Sequence, residues 1–461
     1  MKEYDIIIAG AGASGVFMSY ELTKIKNSAK VLLIDKGKAL SGRICPIKAG
    51  KTETCIICNP CHIMNGYGGA GTLSDGKYNI TTQFGGELHQ YVGTGKAMEL
   101  MEYVDQALCD MGGADAKLYS TDMSDLKTIA LQNNLHLLEA KVRHLGTDRN
   151  VKILGKIFEF TEKRIETKFE TTVTDVEALP GGGFIVRTEK GDEYAANHLV
   201  LAAGRSGSKW ISETCMKLGV GLSSNRVDIG VRVELPAIIF AHITDEVYES
   251  KIVYKTDKYN DMVRTFCMNP HGEVVTENTN GIVTVNGHSY ADPSMWTENT
   301  NFALLVSNTF TEPFRDSNDY GESIARLSNM LGGGVLLQRF GDLVKGRRSS
   351  ERRMGKCFTR PTLKATAGDL SLVIPKRQLD NIIEMIYALD KIAPGTANED
   401  TLLYGVEVKF YNSRVDVDEK LETSVKGLYV LGDGSGVTHS LSQASASGVH
   451  VARILAEKYT Q

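Results

Sequence analysis

The sequence has no hydrophobic run of the roughly 20 residues that a membrane-spanning helix needs. Neither sign of charge dominates, because 52 Lys and Arg residues oppose 56 Asp and Glu residues, for a net charge of −4. This balance excludes the strongly basic composition that nucleic-acid and anionic-membrane binders have. A first strand is predicted from about residue 4, which leaves no room for a signal peptide, so a cytoplasmic location is expected.

The strongest positive signal is a glycine motif close to the start of the chain. A short apolar strand at residues 6–8 leads into Gly10, Gly12 and Gly15, which have the spacing G-x-G-x-x-G. The first glycine permits a tight turn, the second lets a pyrophosphate approach the backbone, and the third lets the next helix pack on the strand. A second predicted strand ends at Asp35, where a carboxylate can hold ribose hydroxyls. The pattern predicts a dinucleotide-binding, Rossmann-like domain.

The C-terminal part of the sequence distinguishes between FAD and NAD as the dinucleotide that is bound. A predicted strand at residues 428–431 leads into Gly432, Asp433 and Gly436, and a helix with small residues in its first turns follows. Small residues let a flat ring lie against the helix start, and the helix N-terminus favours negative charge on a reduced flavin. Asp433 is placed to accept hydrogen bonds from sugar-like hydroxyls. These features favour FAD, and no second fingerprint for a dedicated NAD(P)H domain occurs in the sequence.

Taken together, the N-terminal glycine motif, a strand and turn at residues 200–204 and the C-terminal Gly-Asp pair resemble the two-domain flavoproteins of the glutathione-reductase superfamily. From end to end, the chain resembles a widespread group of largely uncharacterised FAD-dependent dehydrogenases. Relatives often carry Glu at the position of Asp35, and the shorter acid can still reach a ribose. The segments that carry this resemblance are Gly66–Lys77, His144–Arg149, Arg264–Cys267, Val406–Asn412 and Gly432–Gly436.

The resemblance implies an α/β fold, in which a Rossmann-like FAD-binding domain of the glutathione-reductase type carries an inserted mixed α+β substrate domain. We place the FAD-binding domain at residues 1–226 and 403–461, with a cysteine-rich loop at 43–77, and the substrate domain at 227–402. The residues predicted to contact FAD are Gly10, Gly12, Ala13, Ser14, Gly15, Asp35, Lys36, Arg43, Gly69, Ala70, Gly71, Ala203, Gly204, Gly432, Asp433, Gly436, Ser442, Gln443 and Ala444.

The cysteines predict thiols or metal ligands, because eight of them in a chain of this kind do not indicate a disulfide framework. Four lie in the cysteine-rich loop: Cys45, and then Cys55, Cys58 and Cys61 in the spacing C-x-x-C-x-x-C. Ferredoxins hold an iron–sulfur cluster with a similar triple, although here the remaining cysteine precedes the triple. We predict a [4Fe–4S] cluster, and the alternatives are structural zinc, or a redox dithiol or unligated thiols.

Three further residues are candidates for catalysis. His439 lies between the Gly-Asp turn and the last predicted helix, where it could donate a proton or stabilise the flavin. Asp75 and Lys77 follow the glycine-rich loop and could reach either the flavin or a substrate. The alternatives are a helix-start residue bonded to backbone for His439, and a surface Asp-Gly turn for the other two.

These features predict an oxidoreductase, a flavoprotein that carries out two-electron, hydride-transfer redox of a small organic substrate. A cluster beside the flavin would pass single electrons from a ferredoxin-type donor and would remove the need for NAD(P)H. The alternatives are a flavin-dependent monooxygenase on the same fold, and a FAD-binding scaffold or RNA-modifying protein with a structural zinc site.

Overall fold

The computed structural model describes residues 1–46, 49–52, 56, 58–121, 125–279, 281–290, 292–310, 313–314 and 316–460. The chain divides into two units, each with its own hydrophobic core. The first unit comprises Met1–Leu118, Ala140–Ser223 and Asn412–Gln461, and the second comprises Tyr119–Glu139 and Ser224–Tyr411.

The first unit is built on a seven-stranded, largely parallel sheet. Its strands lie in the order Glu166–Lys168, Val31–Ile34, Lys2–Ala9, Glu193–Leu201, Phe184–Thr188 and Val173–Ala178, with Leu428–Val430 also paired with Glu193–Leu201. The remaining strands are Lys77–Ile80, Lys141–His144, Leu222–Ser223 and Arg414–Val415. The helices are Ala13–Lys24, Leu88–Val92, Thr94–Leu108, Thr147–Thr161, Ser208–Lys217 and Leu441–Lys458.

The first strand has the continuous apolar pattern of a strand that is covered on both faces. Ile6 and Ile8 pack into one core cluster, whereas Ile7 packs into another on the opposite face of the sheet. The last strand, Leu428–Val430, pairs in parallel with the end of Glu193–Leu201, so the two ends of the chain join one sheet. The predicted α/β, Rossmann-like fold with an inserted sheet domain is confirmed.

The second unit contains an eight-stranded sheet and a separate hairpin, Glu273–Thr279 with Ile282–His288. The strands of the larger sheet lie in the order Thr366–Ala367, Leu336–Arg339, Leu402–Phe410, Val227–Pro236, Asn299–Asn308, Met262–Asn269, Ile252–Lys255 and Leu135–Leu137. Its helices are Leu126–Gln132, Ala241–Val247, Ser317–Gly332, Phe340–Val344, Glu351–Met354 and Lys376–Asp390, and a short strand, Leu118–Ser120, spans the boundary between the two units.

The boundaries of the second unit differ from the predicted domain at residues 227–402. Residues 119–139 join it because Leu135–Leu137 pairs with Ile252–Lys255 at the edge of the large sheet. The unit also extends to Tyr411, because Leu402–Phe410 pairs with Val227–Pro236 over nearly its whole length. Both additions depend on pairing between distant strands, which local patterns do not reveal.

The two faces of the large sheet differ in chemistry. Along Val227–Pro236, alternate residues such as Ile229 and Val231 enter the main core of this unit. The intervening positions include Asp228, Arg232 and Glu234, all of which are fully buried. A strand with charges on one buried face needs partners for them, and we refer to this side of the sheet as the polar face. Of the helices in the described part of the chain, none has the length and apolar content of a membrane-spanning helix.

Candidate cofactor site

The three glycines of the N-terminal motif have different structural reasons for being glycine. Gly10 has a φ of +121°, and a Cβ placed on it would lie 2.6 Å from the Ala202 backbone. A Cβ on Gly15 would lie 2.0 Å from the Gly10 carbonyl oxygen. Gly12 is different, because its Cβ would meet nothing nearer than the Ala202 oxygen at 3.9 Å, and a Cβ on Gly204 would meet nothing within 4 Å. The open space at Gly12 and Gly204 fits a ligand.

The helix that follows the motif begins with unoccupied hydrogen-bond donors. Gly12 is the N-cap of Ala13–Lys24. Among the residues that the structure describes, no side chain caps this end, and the first turn carries no acidic residue. The first N–H groups of a helix lack partners within the helix and lie at the positive end of its dipole. The predicted contact residues Ala13 and Ser14 form this turn, and their contact with a pyrophosphate stays a prediction.

The Asp35 carboxylate accepts hydrogen bonds from three segments of backbone around the motif. Its Oδ2 accepts a hydrogen bond of 2.8 Å from the Ala11 N–H. Its Oδ1 accepts bonds from the N–H groups of Gly37, at 2.7 Å, and Gly66, at 3.0 Å. The carboxylate therefore connects the glycine turn to the later glycine-rich loop, in addition to the ribose contact predicted for it.

The buried Arg43 side chain donates hydrogen bonds to backbone of both the cysteine-rich loop and the glycine-rich loop. Its Nη1 donates to the Tyr67 carbonyl and to the Thr72 hydroxyl, each at 2.6 Å. Its Nε and Nη2 donate to the carbonyls of residues 62–63, directly after Cys61. Burial lowers the pKa of Arg43 to about 10, so the guanidinium stays protonated at neutral pH. Its predicted contact with FAD stays a prediction, since the described hydrogen bonds run to protein.

The glycine-rich loop lies directly beside the N-terminal motif and the last helix. It forms a short turn, Gly69–Gly71, that holds all three predicted loop residues. A Cβ on Gly69 would lie 3.0 Å from the Gly12 Cα, and a Cβ on Gly71 would lie 2.5 Å from the Leu441 Cδ2. Gly69 also has a φ of +60°, which favours glycine at this close approach, whereas the flexible end of the Leu441 side chain can move away from a Cβ on Gly71.

The strand Glu193–Leu201 ends next to the C-terminal Gly-Asp turn. The Gly434 N–H donates to the Ala203 carbonyl at 3.1 Å, and a Cβ on Gly434 would lie 2.1 Å from that oxygen. Arg205 Nε donates to Asp433 Oδ2 at 2.8 Å. Lys36 also reaches this region and donates to the carbonyl of residue 206 at 3.2 Å. The predicted residues come from five segments, 10–15, 35–43, 69–71, 203–204 and 432–444, and all five belong to the first unit.

Asp433 forms the centre of a small polar network. Besides Arg205, it binds His439, whose Nδ1 lies 3.1 Å from Asp433 Oδ1. Burial alone would raise the pKa of Asp433, but the charge of Arg205 and the hydrogen bond from His439 hold it below its ordinary value. Asn412 Nδ2 donates to the Asp433 carbonyl at 2.7 Å.

The sequence analysis did not identify Arg205 or Asn412 as site residues. Each nevertheless lies at the end of a segment that the analysis singled out: Arg205 follows the turn at residues 200–204, and Asn412 ends the segment Val406–Asn412. Two glycines of the turn have positive φ angles, +76° at Gly432 and +72° at Gly436. They shape the backbone that positions Asp433.

The last helix begins with a cap and three buried side chains. The Ser440 hydroxyl caps the helix by accepting from the Gln443 N–H at 3.2 Å. Gln443 is fully buried, and its amide is bonded to the backbone of residues 81–88. The Ser442 and Ser445 hydroxyls are buried without a hydrogen-bond partner among the described residues.

Replacement of Gln443 by alanine should destabilise the first unit. The Leu88 N–H and the carbonyls of Thr81 and Phe84 would lose their partner, and each buried unsatisfied group costs roughly 1–3 kcal/mol. Chemical denaturation should show this loss, whereas the exposed control Gln90→Ala should change stability by less than about 0.5 kcal/mol. Equal stabilities of the two variants would contradict the structural role.

The other two catalytic candidates lie at or just before the start of the strand Lys77–Ile80. Lys77 Nζ and Asp75 Oδ2 form an ion pair at 3.0 Å, with 13% and 26% of the side chains exposed. Lys77 begins the strand Lys77–Ile80, where it pairs with His144. His439 instead donates its backbone N–H to the Gly85 carbonyl at 2.9 Å. The catalytic roles of these three residues stay predictions.

The cysteine-rich loop is described only in part. Cys45, Cys58 and Cys61 are free, half-buried thiols, and Cys55 lies outside the described residues. Within the described ranges, no group of three or more His, Cys, Asp and Glu side chains is arranged to hold a metal ion. The predicted [4Fe–4S] cluster therefore stays a prediction.

Comparisons with known sequences bear on the cofactor. Residues 227–410 match the family model described as "FAD-dependent protein, C-terminal domain-like", which covers most of the second unit. The match supports FAD. A protein of Clostridium beijerinckii named "Uncharacterized protein" is 25% identical over 473 residues, covering 98% of this chain and 81% of the relative.

The matches among solved structures have low TM-scores and low sequence identity. A glycine oxidase from Geobacillus kaustophilus has a TM-score of 0.42 and 12% identity, with 100% of this chain and 96% of that chain covered. An E. coli quinol fumarate reductase has a TM-score of 0.44 and 13% identity, with 100% and 71% covered. TM-scores this low say nothing about substrate or reaction.

Proposed function

We propose that the protein is a FAD-dependent oxidoreductase that carries out two-electron redox of a small organic substrate. The observation that carries the proposal is the open side of Gly12 and Gly204, two glycines that no protein contact requires. Gly12 is the N-cap of Ala13–Lys24, and a helix start without a side-chain cap is the arrangement that binds a dinucleotide pyrophosphate. Bound FAD supplies the hydride chemistry.

The chain's own residues would bind and orient the cofactor, and they would hold or move protons beside it. The first turn of Ala13–Lys24 offers N–H groups to the pyrophosphate, and Asp433 offers a carboxylate to sugar-like hydroxyls. His439 donates Nδ1–H to Asp433, and this tautomer makes Nε2 the basic nitrogen of the ring. We propose His439 as the group that holds or moves a proton at Nε2 during turnover.

An anaerobic reductive titration tests this function against the scaffold alternative. We expect protein loaded with FAD to take up two electrons per flavin and to be reoxidised by an added acceptor. Asp433→Asn should weaken FAD binding, because a neutral amide is a poorer acceptor for hydroxyls than a carboxylate. Bound flavin that resists reduction would favour the scaffold, and an oxygen-dependent hydroxylated product would favour a monooxygenase.

We further propose that the cysteine-rich loop holds a [4Fe–4S] cluster that delivers single electrons from a ferredoxin-type donor. The supporting contact is Arg43, which bonds both the backbone beside Cys61 and the start of the glycine-rich loop. Four thiolates of the loop would hold the cluster: Cys45, Cys55, Cys58 and Cys61.

Metal analysis of anaerobically purified protein tests the cluster. We expect iron and acid-labile sulfide in the wild-type protein, and loss of both in Cys61→Ser, because one thiolate ligand is removed. Cys109→Ser, a half-buried cysteine outside the loop, is the matched control and should keep its iron. Zinc without sulfide would establish a structural zinc site instead.

A further inference from the structure

The end of the large sheet at which Val227–Pro236 finishes carries the two most exposed large hydrophobic side chains of the described chain. Ile238, two residues beyond that strand, is 83% exposed, and Phe358 is 79% exposed. Trp296, shortly before the neighbouring strand Asn299–Asn308, is 50% exposed. Single exposed hydrophobic residues are ordinary, but several at one place indicate a surface that contacts a protein or a membrane.

Hydrogen bonds join the three segments that carry these side chains. The Ala237 N–H donates to the Glu298 carbonyl at 2.9 Å, and each of these two residues lies within two positions of an exposed hydrophobic one. Asn299 Nδ2 donates to the Arg360 carbonyl at 2.7 Å, two positions after the exposed phenylalanine. The three side chains therefore belong to one surface. We call this surface the apolar tip, and it comprises Ile238, Trp296 and Phe358.

The segment that contains Phe358 is strongly cationic. Residues 345–364 hold eight Lys and Arg residues and one acidic residue, Glu351, although the whole chain has a net charge of −4. The near-neutral balance of the chain therefore does not show the positive patch at this place. Five of the eight cations are exposed and have no carboxylate partner among the described residues; they are Arg348, Arg352, Lys356, Arg360 and Lys364.

The Phe358 ring faces solvent between two of these cations, on backbone that is anchored to the protein. Lys356, Phe358 and Arg360 are exposed, and the two residues between them are buried. The Phe358 N–H donates to Asp400 Oδ2 at 2.7 Å, and the preceding Cys357 belongs to a hydrophobic cluster. The exposure of the ring is therefore a property of folded structure, because the residues on both sides are held in place.

The carboxylates near the apolar tip do not neutralise the patch. Glu399 pairs with Lys345, and Asp400 pairs with Arg339, so both of these acids are already matched. The exposed carboxylates in the three segments are outnumbered by the five unpaired cations; they are Asp292, Glu298 and Glu351.

Protruding hydrophobic side chains beside unpaired cations match the surface of an anionic bilayer. Trp favours the boundary between headgroups and hydrocarbon, and each Lys or Arg near anionic lipids adds to the attraction. An aliphatic side chain such as Ile238 cannot stack on a base, so a nucleic acid would leave it without a partner. A protein partner would need a recess for each protruding side chain, whereas a bilayer accepts all of them.

We infer that the apolar tip of the second unit docks on the surface of an anionic membrane. Its three hydrophobic side chains enter the boundary between headgroups and hydrocarbon, and the unpaired cations contact lipid phosphates. The contact is peripheral, since it involves side chains at one end of a sheet. The inference concerns the second unit alone and does not depend on FAD.

Co-sedimentation of the full-length protein with sucrose-loaded vesicles tests the docking. The vesicles contain either phosphatidylcholine alone or phosphatidylcholine and phosphatidylglycerol in a ratio of two to one. We expect binding to the mixed vesicles to be at least about tenfold tighter, and to weaken as salt is added, because salt screens the charges. Lys356→Gln with Arg360→Gln should lower the affinity by about tenfold or more, and Phe358→Ser by about fivefold or more.

Matched controls lie at the opposite end of the same sheet. Lys255→Gln with Lys258→Gln removes the same charge, and Met262→Ser removes a hydrophobic side chain that is 48% exposed. These controls should bind the mixed vesicles as the wild-type protein does.

Three results would overturn the inference. The first is equal binding to the mixed and the neutral vesicles. The second is that either tip variant, folded as judged by its thermal midpoint, binds as tightly as its matched control. The third is binding of a single-stranded oligonucleotide by protein that does not bind the mixed vesicles, because the patch would then serve a nucleic acid.

Discussion

Gly12→Ala is expected to weaken FAD binding strongly while leaving the first unit folded. A methyl group at Gly12 has room in the protein itself, because the nearest atom, the Ala202 oxygen, would be 3.9 Å away. The same methyl would occupy the space through which a pyrophosphate reaches the helix N-terminus. We expect affinity for FAD to fall by roughly 100-fold or more, equivalent to about 2.8 kcal/mol.

Two other glycine variants separate ligand binding from folding. Gly181→Ala adds a methyl to an exposed loop where nothing lies within 4 Å, and it should change neither FAD binding nor stability. Gly15→Ala places its Cβ 2.0 Å from the Gly10 carbonyl oxygen, so we expect loss of the folded protein altogether. Retention of normal FAD affinity by Gly12→Ala would show that this turn is not the cofactor site.

Arg232→Met is expected to cause the largest loss of stability in the second unit. Arg232 and Glu407 are fully buried and form two charge-assisted hydrogen bonds. Removal of the guanidinium leaves a carboxylate buried without a cation bonded to it, and such a loss costs about 3–5 kcal/mol. Denaturant unfolding followed by a probe in the second unit should show this difference in the free energy of unfolding.

A double variant and a variant of an exposed ion pair test whether an unpaired buried charge causes the loss of stability. Arg232→Met with Glu407→Leu removes both charges, so it should recover a large part of the lost stability. Arg326→Met breaks an exposed pair with Glu322 and should cost less than about 0.5 kcal/mol. If Arg232→Met cost no more than Arg326→Met, the pair would have no structural importance.

Local sequence patterns predicted the first unit well because its strands and turns are short and contiguous. Three apolar residues followed by glycines at fixed spacing require a strand and a tight turn whatever the rest of the chain does. The Gly-Asp turn at residue 433 was found in the same way. The partners of that turn, Arg205 and Asn412, were missed because they reach it from segments separated by long stretches of chain.

The second unit was less predictable for the same physical reason. Its boundary at residues 119–139 depends on an edge strand pairing with Ile252–Lys255, and its polar face depends on the register of Val227–Pro236 against two neighbours. A sequence shows that Arg232, Glu407 and Lys409 are charged. Only the strand register shows that both cations approach the Glu407 carboxylate. The predicted metal site stays open because it includes Cys55, outside the described residues.

The flavin content of the purified protein tests the central claim most directly. Protein prepared with added FAD, freed of unbound cofactor and then denatured, should release about one FAD per chain, because the fingerprint builds a single dinucleotide site. Folded protein that is colourless after this treatment and releases no flavin would contradict the claim.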